Sequence, residues 1–257
     1  MTESRRTIAL VTGASRRVGI GAATCRALAA SGHDIAFTHW QPFDATLETG
    51  IDENGPELLR TELQQMGVRA VGFTADLSKP ETPIAVLDRV IAELGFPTVL
   101  VNNAAHSTHD GYTGLTAEII DAHFFVNFRA TALLSVEFAR RWPGGQGRII
   151  NMTSGQSLGP MPDELAYGAS KGAIEAFTRS LSAGVGPLGI TVNAVNPGPT
   201  DTGWMTPELE DFLRPKFALG RIGKPGDAAK LIAFLASEDG GWVTGQIINS
   251  EGGFLRS

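Results

Sequence analysis

The sequence predicts one α/β domain, a doubly wound parallel sheet of about seven strands flanked by helices. Three observations predict it. Short apolar, β-branched runs alternate with segments of helical periodicity along the whole chain. A glycine-rich loop joins the first run to the first helical segment, and no linker or repeat of solenoid length interrupts the order. At 257 residues the chain suits one large domain with a substantial core.

The elements follow in order. Residues 7–12 are the first strand, and Gly13-Ala14-Ser15-Arg16-Arg17-Val18-Gly19-Ile20-Gly21 leads into a small-residue helix that runs through Ala30. Such a loop lets backbone approach a diphosphate while the helix N-terminus offers free N–H groups. Residues 34–39 form the second strand. No acid ends it; Thr38, His39 and Trp40 stand there instead, with Arg16 and Arg17 in the glycine loop. An acid at that position would bind a ribose 2'-hydroxyl and repel a 2'-phosphate, so NADP(H) is favoured over NAD(H), although Asp44 could still face the ribose. Residues 41–56 read as a polar surface excursion beside the adenosine end.

Residues 57–65 are helical, and residues 68–75 form a strand ending at Asp76, followed by Leu77. The Asp76 carboxylate is placed to accept an adenine amino group, to cap the next helix, or both. A helix over 82–94 precedes a buried strand at 98–101 and then Asn102-Asn103-Ala104-Ala105. These amides can tie neighbouring loops together through backbone hydrogen bonds. Residues 116–141 carry the longest helical pattern, with Phe124, Phe125, Phe128, Leu133, Leu134 and Phe138 on its apolar surface and Asn127 interrupting it. That amide either satisfies a bent backbone or holds a water beside Lys171.

A strand at 147–153 delivers Ser154, and one at 190–195 delivers Asn196-Pro197-Gly198-Pro199-Thr200-Asp201-Thr202, a turn suited to clamping a cofactor. Between them, Tyr167-Gly168-Ala169-Ser170-Lys171 opens a helix. Positions four apart share a helix face, so the Tyr167 hydroxyl and the Lys171 ammonium converge on one bound molecule. A nearby cation lowers a phenol's pKa, which suits proton transfer, and Ser154 supplies a donor to a carbonyl oxygen as it gains charge. Residues 203–220, rich in Trp204, Met205, Leu209, Phe212, Leu213 and Phe217, read as a small helical lid over an apolar substrate or as core packing. A helix over 226–236 and a strand at 246–249 end the pattern. Right-handed crossovers bring the glycine loop, Asp76, Asn102, Ser154 and Pro197 to one edge of the sheet, the Rossmann-type arrangement.

Composition narrows the function. With 42% hydrophobic and 19% charged residues the chain is a folded protein, and its net charge of -6 argues against nucleic-acid binding. The single cysteine, Cys25, rules out an internal disulfide and a cysteine-cluster metal site, and no metal is expected. The start of the chain leaves no room for a signal peptide, and no apolar run reads as long enough to span a bilayer, so a cytoplasmic location is expected.

Taken together, Thr12-Gly13 with Gly19 and Gly21, Asp76, Asn102-Asn103-Ala104, Asn127, Ser154, Tyr167 with Lys171, and Asn196-Pro197-Gly198 resemble the short-chain dehydrogenase/reductase family over essentially the full length, most of all its beta-ketoacyl reductase type. The resemblance implies a catalytic tetrad. In it Tyr167 exchanges the proton, Lys171 binds the nicotinamide ribose and lowers the phenol's pKa, Ser154 orients the carbonyl, and Asn127 positions a relay water. The cofactor contacts it implies are Gly13, Ser15, Arg16, Arg17, Gly19 and Ile20 in the loop, then Asp76, Leu77, Asn103 and Ala104, then Pro197, Gly198, Thr200 and Thr202 in the clamp. It further implies a homotetramer or a homodimer. Family members read Asn-Asn-Ala-Gly where this chain has Ala105, and carrier-dependent reductases place Arg where it has Gly145 and Leu188. The expected activity is NADP(H)-dependent interconversion of a ketone, such as a 3-oxoacyl group, and a secondary alcohol. A catalytically idle NADP-binding sensor or scaffold is the alternative, disfavoured by the unbroken tetrad.

Overall fold

Every apolar run identified above becomes a strand: β1 (Ile8–Val11), β2 (Asp34–His39), β3 (Ala70–Thr74), β4 (Val99–Asn102), β5 (Gly147–Met152), β6 (Ile190–Asn196) and β7 (Ile247–Asn249). The computed structural model describes residues 6–46 and 50–255. All pairings are parallel, in the order β3-β2-β1-β4-β5-β6-β7. Parallel neighbours need crossovers, and the chain supplies them as helices on both faces. These are α1 (Ile20–Ala30), α2 (Gln41–Asp44), α3 (Gly55–Gln65), α4 (Thr82–Glu93), α5 (Ala117–His123), α6 (Thr131–Arg140), α7 (Leu165–Val185), α8 (Pro207–Leu213) and α9 (Pro225–Ala236).

The sheet is buried on both sides, which is why its strands read as continuous apolar runs. One core layer joins the sheet to α1, α3 and α9 through Cys25, Leu28, Phe37, Leu59, Leu63 and Ile232. The other joins it to α4, α6 and α7 through Leu87, Val90, Leu134, Phe138 and Val185. β1 lies between β2 and β4, with Ala9 level with Ile35 on one side and Val99 on the other. The chain reverses its direction of winding at that point, and a crevice opens beyond the C-terminal ends of β1 and β4.

The structure corrects four readings of the sequence. The long helix at 116–141 is broken: seven residues, Phe124–Ala130, form a π-helical segment between α5 and α6, with Asn127 in its middle. By length and composition Ala117–Arg140 is apolar enough to cross a bilayer, contrary to the reading that no segment was. Here its Leu134, Ser135 and Phe138 are buried in the core. The stretch at 41–56 is not a plain excursion, since it contains α2 and the start of α3; residues 47–49 lie outside the described residues. Finally, Asp76 does not cap α4, whose N-cap is Glu81. It closes its own turn, accepting from Ser78 N at 3.0 Å and Ser78 Oγ at 2.6 Å.

Candidate active site

The glycine loop and the end of β4 are joined by a dense set of hydrogen bonds. Thr12 Oγ1 accepts from the amides of Asn103 (3.0 Å) and Ala104 (3.1 Å), and Asn103 Nδ2 donates to the carbonyls of Thr12 (2.9 Å) and Gly13 (2.8 Å). This is the loop-tying role expected of those amides. Gly13 has φ +73°, and a Cβ there would lie 2.5 Å from Ala104 Cα, so only glycine fits. Gly19 is the N-cap of α1. Gly21 lies inside α1, where a Cβ would meet Gly13 O at 2.5 Å, so it serves helix–loop packing and not the phosphate cradle.

No side chain caps α1 at Gly19. The first-turn amides of α1, Ile20 included, thus have no side-chain acceptor at the cap, and such a helix start fits the diphosphate of a dinucleotide. Around it Ser15 Oγ accepts from Trp40 N at 3.0 Å and bonds the Asp44 carboxylate. Both loop arginines are engaged. Arg16 lies 3.8 Å from Asp44 and donates to Thr202 Oγ1 at 3.4 Å, while Arg17 donates from its amide and its Nε to Asp52 at 3.2 and 3.1 Å. Asp44 is buried with its Oδ2 lacking a hydrogen-bond partner, and burial raises its pKa against the pull of Ser15 and Arg16. The clamp after β6 is fixed by Gly198 N donating to Asn196 Oδ1 (2.9 Å) and by Thr200 Oγ1 donating to Pro197 O (3.1 Å) and Gly198 O (3.2 Å). Thr200 is thus turned to its own backbone, whereas Thr202 meets Arg16. Leu77 is buried beside the Asp76 turn.

Helix α7 carries Tyr167 and Lys171 on one face toward the end of β5. Ser154 follows β5 and is close enough to the Tyr167 phenol to favour its charged form. Lys171 is buried, with Nζ 5.5 Å from the centre of the Tyr167 ring and donating to Met152 O at 2.9 Å. The expected electrostatics are reversed: burial pushes the phenol up to about 12, with the Glu164 carboxylate adding to the rise and Ser154 opposing it. Burial also pushes Lys171 down to about 8. Desolvation and the Glu164 carboxylate outweigh the pull of Ser154, so the phenol holds its proton at neutral pH.

Asn127 is buried and its amide is engaged: Oδ1 accepts from His106 N at 2.7 Å, and Nδ2 donates to His106 O and to Ser170 Oγ, each at 2.9 Å. The reading in which this side chain satisfies an irregular backbone fits these bonds, since π turns displace the regular ladder. Of residues 203–220, α8 has no fully buried residue, with Leu209 and Leu213 half-buried, and Trp204 is tied back to Thr200 O at 2.9 Å, whereas Phe217 is buried against Phe254.

Sequence reasoning missed several side chains here. Glu175 Oε1 accepts from Thr153 Oγ1 (3.3 Å), Gln156 Nε2 (2.6 Å) and Ser157 Oγ (3.1 Å), fixing the loop that holds Ser154. Its spacing of four from Lys171 was the available signal. His123 stands edge-on to Tyr167 and to His106, with ring centres 6.3 and 4.8 Å apart. No local pattern marks either histidine.

A family model described as enoyl-(acyl carrier protein) reductase matches residues 13–255. The uncharacterized oxidoreductase YjdA of Bacillus subtilis is 54% identical over 259 residues, covering 100% of both chains. The chain belongs to the short-chain dehydrogenase/reductase family. Among other members, the 3-oxoacyl-(acyl-carrier-protein) reductase FabG of Pseudomonas aeruginosa is 35% identical over 97% of this chain and 98% of its own. A solved short-chain dehydrogenase of Burkholderia cenocepacia, in complex with NADP, superposes with a TM-score of 0.86 at 34% identity, over 96% of this chain and 97% of that one. For a short-chain dehydrogenase/reductase the uncapped α1, the locked Asn103 seam and the grouping of Ser154, Tyr167 and Lys171 occupy one crevice edge. The chain is thus an oxidoreductase by family.

Proposed function

We propose that this oxidoreductase interconverts a ketone and a secondary alcohol with NADP(H), a 3-oxoacyl group being the leading substrate class. The observation that carries the proposal is Tyr167 and Lys171 on one face of α7, with the Lys171 Nζ 5.5 Å from the phenol ring and donating to Met152 O at the end of β5. Bound NADP(H) supplies or accepts the hydride; this chain's residues do the rest. The Tyr167 phenol, protonated at neutral pH, gives its proton to the carbonyl oxygen in the reductive direction. Ser154 donates a hydrogen bond to the same oxygen as negative charge grows there. Lys171 spends one of its three N–H bonds on Met152 O, leaving two for ribose hydroxyls. Asn127 acts through its hold on His106 and Ser170. The α1 amides with Ser15 and Ile20 take the diphosphate, Arg16 and Arg17 the 2'-phosphate, Asp76 and Leu77 the adenine, and Pro197, Gly198 and Thr202 the nicotinamide end.

NADP in the Burkholderia cenocepacia relative and the FabG match support the cofactor and the 3-oxoacyl class. We further propose a cytoplasmic homotetramer or homodimer, in which exposed Ile120 and Leu133 of the α5–α6 stretch and the small residues Gly168, Ala169, Gly172 and Ala173 of α7 face a second copy. The test is Tyr167→Phe, assayed with NADPH and NADH over a panel of 3-oxoesters, diketones and aldehydes. A loss of about 100-fold or more in kcat with cofactor binding intact is expected. Near-normal turnover by the variant overturns the proton assignment; tight NADPH binding without turnover of any carbonyl by the unaltered protein favours the sensor reading.

A further inference from the structure

The helix that bears Tyr167 starts without a cap of its own: its N-cap residue is Glu164, whose side chain makes no capping bond. The missing acceptor comes from far away in sequence. Asp110, in the loop between β4 and α5, accepts from Leu165 N at 2.7 Å through Oδ1 and from Ala166 N at 2.8 Å through Oδ2. Its own amide donates to Asp163 O at 2.9 Å, and its Oδ1 also accepts from Gly111 N. Both carboxylate oxygens are thus spent on backbone, two of the bonds on the residues just before Tyr167.

A second grip holds the same turn from the opposite direction. Asn127 pins the backbone of His106 in that loop and donates to Ser170 Oγ, and Ser170 Oγ donates to the carbonyl of Tyr167 at 2.8 Å. The β4–α5 loop is therefore anchored at His106 to the π segment and at Asp110 to the start of α7, and Tyr167 sits between the anchors. We infer that Asp110 is a positioning residue for Tyr167, its carboxylate fixing the first turn of α7 so that the phenol points at the reacting oxygen. The inference rests on the proton-transfer reading of Tyr167. A displacement of about 1 Å in such a group costs on the order of 100-fold in rate.

The experiment compares Asp110→Ala and Asp110→Asn with the unaltered protein and with Tyr167→Phe. Steady-state kinetics use NADPH and ethyl acetoacetate, NADPH affinity is read by fluorescence titration, and hydrogen exchange follows the peptide that contains residues 165–167. Asp110→Ala is expected to lower kcat by about 10- to 100-fold, with KM for the ketoester and NADPH affinity changed by less than about threefold because Asp110 touches neither. Its exchange at 165–167 rises. Asp110→Asn, which keeps one acceptor oxygen, recovers most of kcat and most of the protection. The inference is overturned if Asp110→Ala leaves exchange at 165–167 unchanged, if kcat stays within twofold of the unaltered protein, or if Asn rescues no better than Ala. If Tyr167→Phe keeps full turnover while Asp110→Ala loosens the turn, the proton assignment has failed and the clamp has not. If ethyl acetoacetate is not turned over, the kinetics use the carbonyl of the panel above that the unaltered protein reduces fastest.

Discussion

Lys171 donates from Nζ to the carbonyl oxygen of Met152 across 2.9 Å. The bond anchors a buried ammonium at the end of β5, close to the phenol it is proposed to serve, yet one backbone carbonyl does not repay the loss of water around the charge. The ammonium is left easier to deprotonate than the phenol.

A pH dependence follows. Lys171, lowered to about 8 by burial, is charged below that value and neutral above it, whereas Tyr167, raised to about 12, keeps its proton throughout. For carbonyl reduction kcat/KM, which reports the free enzyme, is expected to fall tenfold per unit as pH rises beyond about 8. Lys171→Met removes that limb along with most of the activity. A limb that persists in this variant assigns it to another group.

Gly13 is the backbone position least able to accept a side chain. Gly13→Ala combines a φ of +73° with a Cβ only 2.5 Å from Ala104 Cα, and it is expected to cost about 3 kcal/mol of stability. Gly32→Ala is the control. It shares a positive φ of +89° but meets nothing within 4 Å, so it costs about 1 kcal/mol. Urea titrations of both variants measure the difference, and equal costs would mean that the Thr12–Asn103 seam yields easily.

The pairing of Arg17 with Asp52 bears on cofactor choice. Arg17→Ala is expected to weaken NADPH binding by about 10-fold or more and NADH binding by less than about threefold. Asp52→Asn, which releases the guanidinium, is expected to tighten NADPH binding by about threefold. Fluorescence titrations with the two cofactors check both. Equal weakening of NADPH and NADH by Arg17→Ala would remove the 2'-phosphate assignment.

Much of this was legible in the sequence for physical reasons. Strands buried on both faces announce themselves as apolar runs, so residues 34–39 were bounded to the residue and the other strands to within two. The Tyr167–Lys171 spacing encodes a shared helix face, and Gly13 reports a steric demand that no other residue meets. The illegible parts are those that depend on distant contacts. The π segment around Asn127 keeps a helix-like periodicity, so nothing local separates it from α5 and α6. Asp110 is the one acid of a polar loop and carries no local pattern; its function exists only once residues 165 and 166 come to rest beside it. The phenol's pKa was read in the wrong direction because spacing shows which charges are near and says nothing about how much water is left.

The pairing of both loop guanidiniums with carboxylates has one more consequence. An incoming polyanion meets cations whose fields are already cancelled at close range, on a molecule of net charge -6. Little remains to draw the nucleotide in from beyond a Debye length, and added salt loosens the internal pairs. What acts at long range is repulsion by the net negative molecule, so the rate constant of capture rises as salt screens it.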